Sequence, residues 1–207
     1  MRELKPYRTV VGARAALDNG GRFYNLIATA DDNRITKGEL AKAAGVFRSE
    51  QKAFLFLHMA LADIGDSQRS EVLALLEPAL AKRYKSAGPR RLEPRAVNTE
   101  TKAGQLVVVE GYPRFFKRKT RRAVVPMMVH VVLVQVPVEV HYDGYALFAT
   151  PDAKGTPASL VVTRPRAMLA KSFTRFGGVI RAYTLEDSSG KHSGVFLEPL
   201  FFTNLNP

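Results

Sequence analysis

The chain has 207 residues, 46% of them apolar and 24% charged, with a net charge of +12 and no cysteine. That length holds one large domain or two modest ones, and the ordinary apolar and charged fractions exclude a chain disordered throughout. The missing cysteine excludes disulfides and thiolate chemistry, and no apolar run reaches the roughly 18–20 residues that a membrane-spanning helix needs.

The charge is unevenly placed. Residues 1–81 carry 11 Lys/Arg and 10 Asp/Glu, a net +1, whereas residues 82–207 carry 20 and 9, a net +11. Basicity confined to one part of a chain speaks of partners rather than of fold. The opening MRELKPYRTVV lacks the charged-then-apolar layout of a secretory signal, so a cytoplasmic location is the default expectation.

Residues 1–88 read as a helical domain. Asn19-Gly20-Gly21 is a breaker, and a short apolar helix is expected over 22–29. Thr36-Lys37-Gly38-Glu39 has the spacing of a capping box, opening a helix that runs to Ala44 with Gly45 as its C-cap. Ser49 caps the next helix, whose body KAFLFLHMALADI is apolar almost all round and so belongs at the centre of a bundle; Gly65 is its expected stop. Ser67 or Ser70 opens a last helix in which Leu73, Leu76, Leu80 and Tyr84 share a face, with a kink or break at Pro78.

ATADDNRITKGEL, residues 28–40, resembles an EF-hand loop with the start of its exiting helix. The resemblance places Ile35 at the small sheet position, Glu39 at the closing ligand and Asp32 at the third side-chain ligand. It also puts Ala28 and Ala30 where the first two acidic ligands belong, and Asn33 where the sharp-turn glycine belongs. A calcium loop needs several converging oxygens, so the resemblance implies a helix–loop–helix shape without a metal site, and no cofactor is expected.

Residues 89–104 read as a connector, because the prolines, glycines and polar residues around them carry no apolar period. From Gln105 the period becomes two, and 105–207 reads as a basic β-rich domain. Val132, Val134, Val136, Val138, Val140 and Tyr142 alternate with Gln135, Glu139, His141 and Asp143, the pattern of a half-buried strand. Pro137 marks an edge, a bulge or a junction, and Asp143-Gly144 reads as a tight hairpin turn. Further strands are expected at 159–163, 179–185 and 194–202, with a turn at 187–190 and a short helix over 166–176. The fold class is therefore α+β, an N-terminal helical bundle followed by an antiparallel β barrel or sandwich. The outline is compatible with an oligonucleotide-binding type of barrel, although no motif fixes that.

Glu139, His141 and Asp143 share one strand face about 6.6 Å apart. Such a trio can hold a metal or pair a base with its orienter, and it is equally the ordinary polar face of a strand. His58 lies in the most apolar helix and reads as a satisfied core histidine. The chain has no Gly-rich phosphate loop, nucleophile elbow or zincin helix, and Phe176-Gly177-Gly178 reads as a turn. No catalytic function is therefore assigned.

The basic stretches carry more. Lys82–Arg95, Arg114–Arg122 and Arg164–Arg181 hold 17 of the 31 Lys/Arg with a single acid, Glu93, among them. Aromatics interleave at Tyr84, Tyr112, Phe115, Phe116, Phe173 and Phe176. The segment RFFKRKTRR between two apolar runs reads as a turn or hairpin tip, since its six cations cannot be buried unpaired. Cations that follow a phosphate backbone beside rings that stack on bases are what single-strand binders use. The expected function is a non-enzymatic module whose β domain contacts a polyanion such as single-stranded nucleic acid. Its site would comprise Arg114, Phe115, Lys117, Arg118, Lys119, Arg121, Arg122, Arg90 and Arg91. The alternative is a structural or protein-interaction protein whose charge is incidental.

Overall fold

A computed structural model describes the chain except residues 21–29, 130–131, 155–156, 164–168, 170–171, 188–189 and 206–207; for the rest of 121–138, and for 185–187 and 191–192, it describes the backbone only. A short β1 (Arg2–Glu3) leads into α1 (Val10–Leu17), α2 (Lys37–Ala44), α3 (Glu50–Ala60), α4 (Asp66–Ala74) and α5 (Pro78–Ala87). Then come β2 (Arg90–Leu92), α6 (Ala96–Glu100), β3 (Leu106–Val129), β4 (Val132–Phe148), β5 (Ser159–Thr163), β6 (Thr174–Asp187) and β7 (Gly190–Asn204). Among the described residues this is a mixed α and β protein with six helices and one seven-stranded sheet.

The helix ends follow local chemistry. The Thr36 hydroxyl accepts from the Glu39 N–H while the Glu39 carboxylate accepts from the Thr36 N–H, and Gly45 closes α2 at φ 63°. Such reciprocal capping satisfies donors that the first turn leaves orphaned. Ser49 caps α3. Pro78 divides the last helical pattern as expected, standing at the first turn of α5 where its missing N–H costs nothing. Two expectations fail here. The helix α3 stops at Ala60 rather than running to Gly65, and Gly65 itself caps α4, so neither Ser67 nor Ser70 does. The Arg69 guanidinium reaches back to the carbonyls of Leu61 and Ile64, satisfying acceptors that a longer α3 would have used. The helix expected over 22–29 lies outside the described residues.

The strand β3 pairs antiparallel with β4 from Tyr112↔Phe148 to Val129↔Val132. Its start pairs β2 in parallel and β6 antiparallel, the latter from Leu106↔Val179 to Gly111↔Thr174. On the other side β4 pairs β5, β5 meets β7 in parallel at Val161↔Leu197, and β6 pairs β7 along its length. The expected strands at 159–163, 179–185 and 194–202 fall within β5, β6 and β7. Phe176-Gly177-Gly178 is strand rather than turn, with a bulge between the two glycines. Residues 174–176 of the expected short helix are strand as well, and most of its remainder is outside the described residues.

Two turn assignments are corrected. The basic segment 114–122 is not a hairpin tip but the middle of β3, and Asp143-Gly144 is not a turn but runs through β4. A tight hairpin needs residues that accept positive φ, and 114–122 contains no Gly, Asn or Asp. Instead, Asp143, His141 and Glu139 come opposite Arg118, Thr120 and Arg122, and the ladder gives Arg118 a carboxylate partner in Asp143. An extra residue, Phe116, bulges out of β3 between the pairs Phe115↔Tyr145 and Lys117↔Gly144. Beyond the pair Arg118↔Asp143, where β5 ends, the two strands pair only with each other among the described residues, forming a ribbon of about 33 Å at 3.3 Å per residue.

Two apolar cores lie against the sheet. The helices bury Leu17, Ile35, Leu40, Phe54, Leu55, Leu57, Met59 and Leu80 together with Val108 and Phe201 of the strands. The neighbouring Val107, Val109 and Phe202 belong to the second core, with Tyr145, Leu147, Val161, Phe176, Ile180 and Leu197. Alternation along a strand sends successive side chains to opposite faces, so one strand serves both cores. The stretch 89–104 holds β2 and α6, and Leu92 and Val97 are buried in the second core.

Candidate polyanion interface

Register at the bulge sorts the basic residues onto two faces. On the first lie Phe115, packed edge-on to Tyr145 at 5.8 Å, then Arg118 and Thr120. Arg118 grips Asp143 with two bonds, Nε–Oδ1 at 2.7 Å and Nη2–Oδ2 at 3.0 Å. Asp143 is only 4% exposed, and the Arg118 guanidinium holds its carboxyl below the usual range although burial pushes the other way. The Thr120 hydroxyl and His141 Nδ1 are 2.7 Å apart. Arg122 stands opposite Glu139 in register.

The second face carries Arg114, Lys117 and Lys119. Arg114 lies 4.3 Å over the Phe148 ring and donates to the carbonyls of Ala153 and Pro151, so its guanidinium is fixed by the following loop. Lys117 and Lys119 are exposed and make no ion pair or hydrogen bond among the described residues. Opposite them stand Gly144 and Tyr142. Phe116, at the bulge next to Lys117, is 69% exposed, and Phe115 on the first face is 58% exposed, both high for large apolar side chains. Arg121 stands opposite Val140 in register.

The other predicted cations do not join this group. Arg90 and Arg91 pair alongside Val107 and Val108, about 20 Å along β3 from Arg114. Arg91 bonds Glu110 at 2.9 Å and Arg90 meets Glu100 at 3.5 Å. Arg91 lines, with Glu110 and Phe173, a pocket of about 380 Å³. Arg83 is held by Glu50 and Arg181 by Glu198. Arg175, 7% exposed, is clamped between Asp63 at 2.8 Å and Glu110 at 2.6 Å.

The alternative chemical sites have other occupations. Asp143 and His141 are engaged across the ladder as described, and among the described residues no three His, Asp or Glu side chains are grouped to hold a metal. In the EF-hand-like loop, Glu39 is fully buried and accepts from the Gly20 N–H, the Thr36 N–H and the Thr36 hydroxyl. The Lys42 ammonium bonds the Asn19 side chain and the carbonyls of Asn19 and Gly20. His58 sits in the helical core with Nδ1 3.2 Å from the Tyr84 hydroxyl, and burial lowers its pKa to about 4.

No protein-family model matches the chain, and no curated protein sequence is detectably similar to it. Among the described residues no helix is long and apolar enough to cross a membrane.

Proposed function

We propose that this protein is a non-enzymatic binding module that works in the cytoplasm and holds a polyanion, of which nucleic acid is the leading case, on the proximal half of the β3–β4 ribbon. The observation that carries this reading is the pair of exposed lysines, Lys117 and Lys119, on one face at the base of a projecting ribbon, next to the exposed Phe116 of the bulge. Ammonium groups left unneutralised within one strand raise the local potential and attract phosphates. The pairing supports a barrel: β3, β4, β5, β7 and β6 follow one another in a ring that returns to β3, with β5 and β7 the parallel pair. Five strands so joined agree with a barrel of the oligonucleotide-binding type, whose connection between its first two strands contributes to binding. Here that connection is the ribbon.

A labelled oligonucleotide titrated at two salt concentrations tests the reading. Each phosphate that a variant no longer neutralises should reduce the slope of log affinity against log salt by about 0.7. The double variant Lys117→Ala/Lys119→Ala is therefore expected to lose about 1.4 of slope, with its melting temperature unchanged. Equal and weak affinity of wild type and variant would leave the charge without a binding role.

One observation favours the alternative of a protein-interaction role. The distal ribbon, Ala123–Val129 with Val132–Val138, contains no charged residue and, among the described residues, pairs only with itself. A two-stranded ribbon has no interior of its own. Light scattering of the purified protein against concentration distinguishes self-association from a monomer.

A further inference from the structure

The lysine face carries a feature that charge alone does not use. Lys119 stands opposite Tyr142, and Lys117 stands opposite Gly144, which pairs on its far side with Val162. Tyr142 and Val162 are half-buried, so both present surface around the glycine. A glycine inside a strand weakens it, and it often marks a bulge or the close approach of a ligand. At Gly144 the backbone does not demand glycine, since it is not among the positive-φ residues. Nor does packing: a Cβ there would meet nothing nearer than the Lys117 carbonyl at 3.4 Å, an ordinary contact. A Cβ at Gly144 would thus have no side chain within 4 Å, and Tyr142, Lys117 and Lys119 are its neighbours along the strand and across the ladder.

We infer that the polyanion is a single-stranded nucleic acid, with a base seated over Gly144 against Tyr142 and its phosphates on Lys117 and Lys119; this rests on the polyanion reading above. A ring set in a sheet surface can stack only on a base whose face is free. Unpaired strands offer that face, and base–aromatic stacking is what sequence-tolerant binders of such strands use. A duplex keeps its base faces inside, and a bare polyphosphate has none.

The chain contains no tryptophan, so Tyr142→Trp places a single reporter at the proposed seat. Oligothymidylate is expected to bind this variant and quench its emission, whereas inorganic polyphosphate binds without quenching. Gly144→Val fills the space with a residue that strands favour. It should leave the melting temperature unchanged or raised, lower oligothymidylate affinity about tenfold, and leave polyphosphate affinity as it was; the loss is of the size of one stacked base. Oligothymidylate binding without quenching, or with full affinity in Gly144→Val, overturns the inference while the polyanion reading stands. Tighter binding of a duplex of equal length, without quenching, also overturns it. If neither oligothymidylate nor polyphosphate binds, both readings fall together.

Discussion

His58 shows how a single side chain ties stability to pH. Its ring is half-buried at the helical core beside the Tyr84 hydroxyl, and the charges of Arg69, Arg91 and Arg175 add to the desolvation that disfavours the imidazolium. The folded protein therefore holds His58 neutral down to about pH 4, while the unfolded chain protonates it near 6.5. Between those values the unfolded state binds more protons, so stability is complete above 6.5 and falls as the pH drops toward 4. Across that interval the difference amounts to about 3 kcal/mol. His58→Gln keeps a hydrogen-bonding group for Tyr84 without the titration. Melting temperatures at pH 7 and pH 4.5 should differ more in the wild type than in this variant. The apolar run around His58 makes its core position legible in the sequence. The state of each cation is not legible there, because the acids that neutralise Arg83, Arg91, Arg118 and Arg175 lie 33, 19, 25 and up to 112 residues away. A window along the chain sees Arg118 and Lys119 as equivalent neighbours, yet the ladder gives one a carboxylate and the other a phenol.

Helix ends are readable because their chemistry is local: Thr36 with Glu39, Ser49 and Pro78 act within a turn of where they stand. Strand ends depend on partners far along the chain, which is why a run of cations inside β3 and an Asp-Gly pair inside β4 both look like turns. The bulge at Phe116 has no signal in the sequence, although it decides which cations share a face. Packing between elements is equally hidden. Gly177 of β6 lies so close to α3 that a Cβ would come within 2.1 Å of the Met59 sulfur and 3.1 Å of Leu55 Cδ1. A methyl group there must displace the fully buried Met59 side chain, and overpacking of this kind costs about 1–3 kcal/mol. Gly177→Ala should lower the midpoint of urea unfolding accordingly, whereas the same methyl at Gly144 meets only the Lys117 carbonyl, at 3.4 Å, and should not.

For the molecule as a whole, the sharing of strands between two cores sets how it unfolds. Val108 and Phe201 belong to the helical core, while Val107, Val109 and Phe202 belong to the other. Losing either core therefore exposes one face of strands that the other still needs. The buried Arg175 adds a polar tie, reaching Asp63 beyond α3 and Glu110 on β3. Helical circular dichroism and tyrosine absorbance should follow one common transition in urea, as expected for a single cooperative unit; two separated midpoints would mean that the cores come apart independently. The strand β1 adds an order in time. Arg2 and Glu3 pair in parallel with Phe201 and Phe202, Leu4 donates to the Phe202 carbonyl, and the Thr203 hydroxyl donates to the Leu4 carbonyl. The ribosome therefore makes β1 about 200 positions ahead of the strand that fastens it. At about 5–20 residues per second, that earlier segment waits roughly 10–40 s for its partner. Throughout that interval the edge of the helical core beside Phe56, which Phe201 covers at a ring separation of 6.1 Å, has nothing to close against.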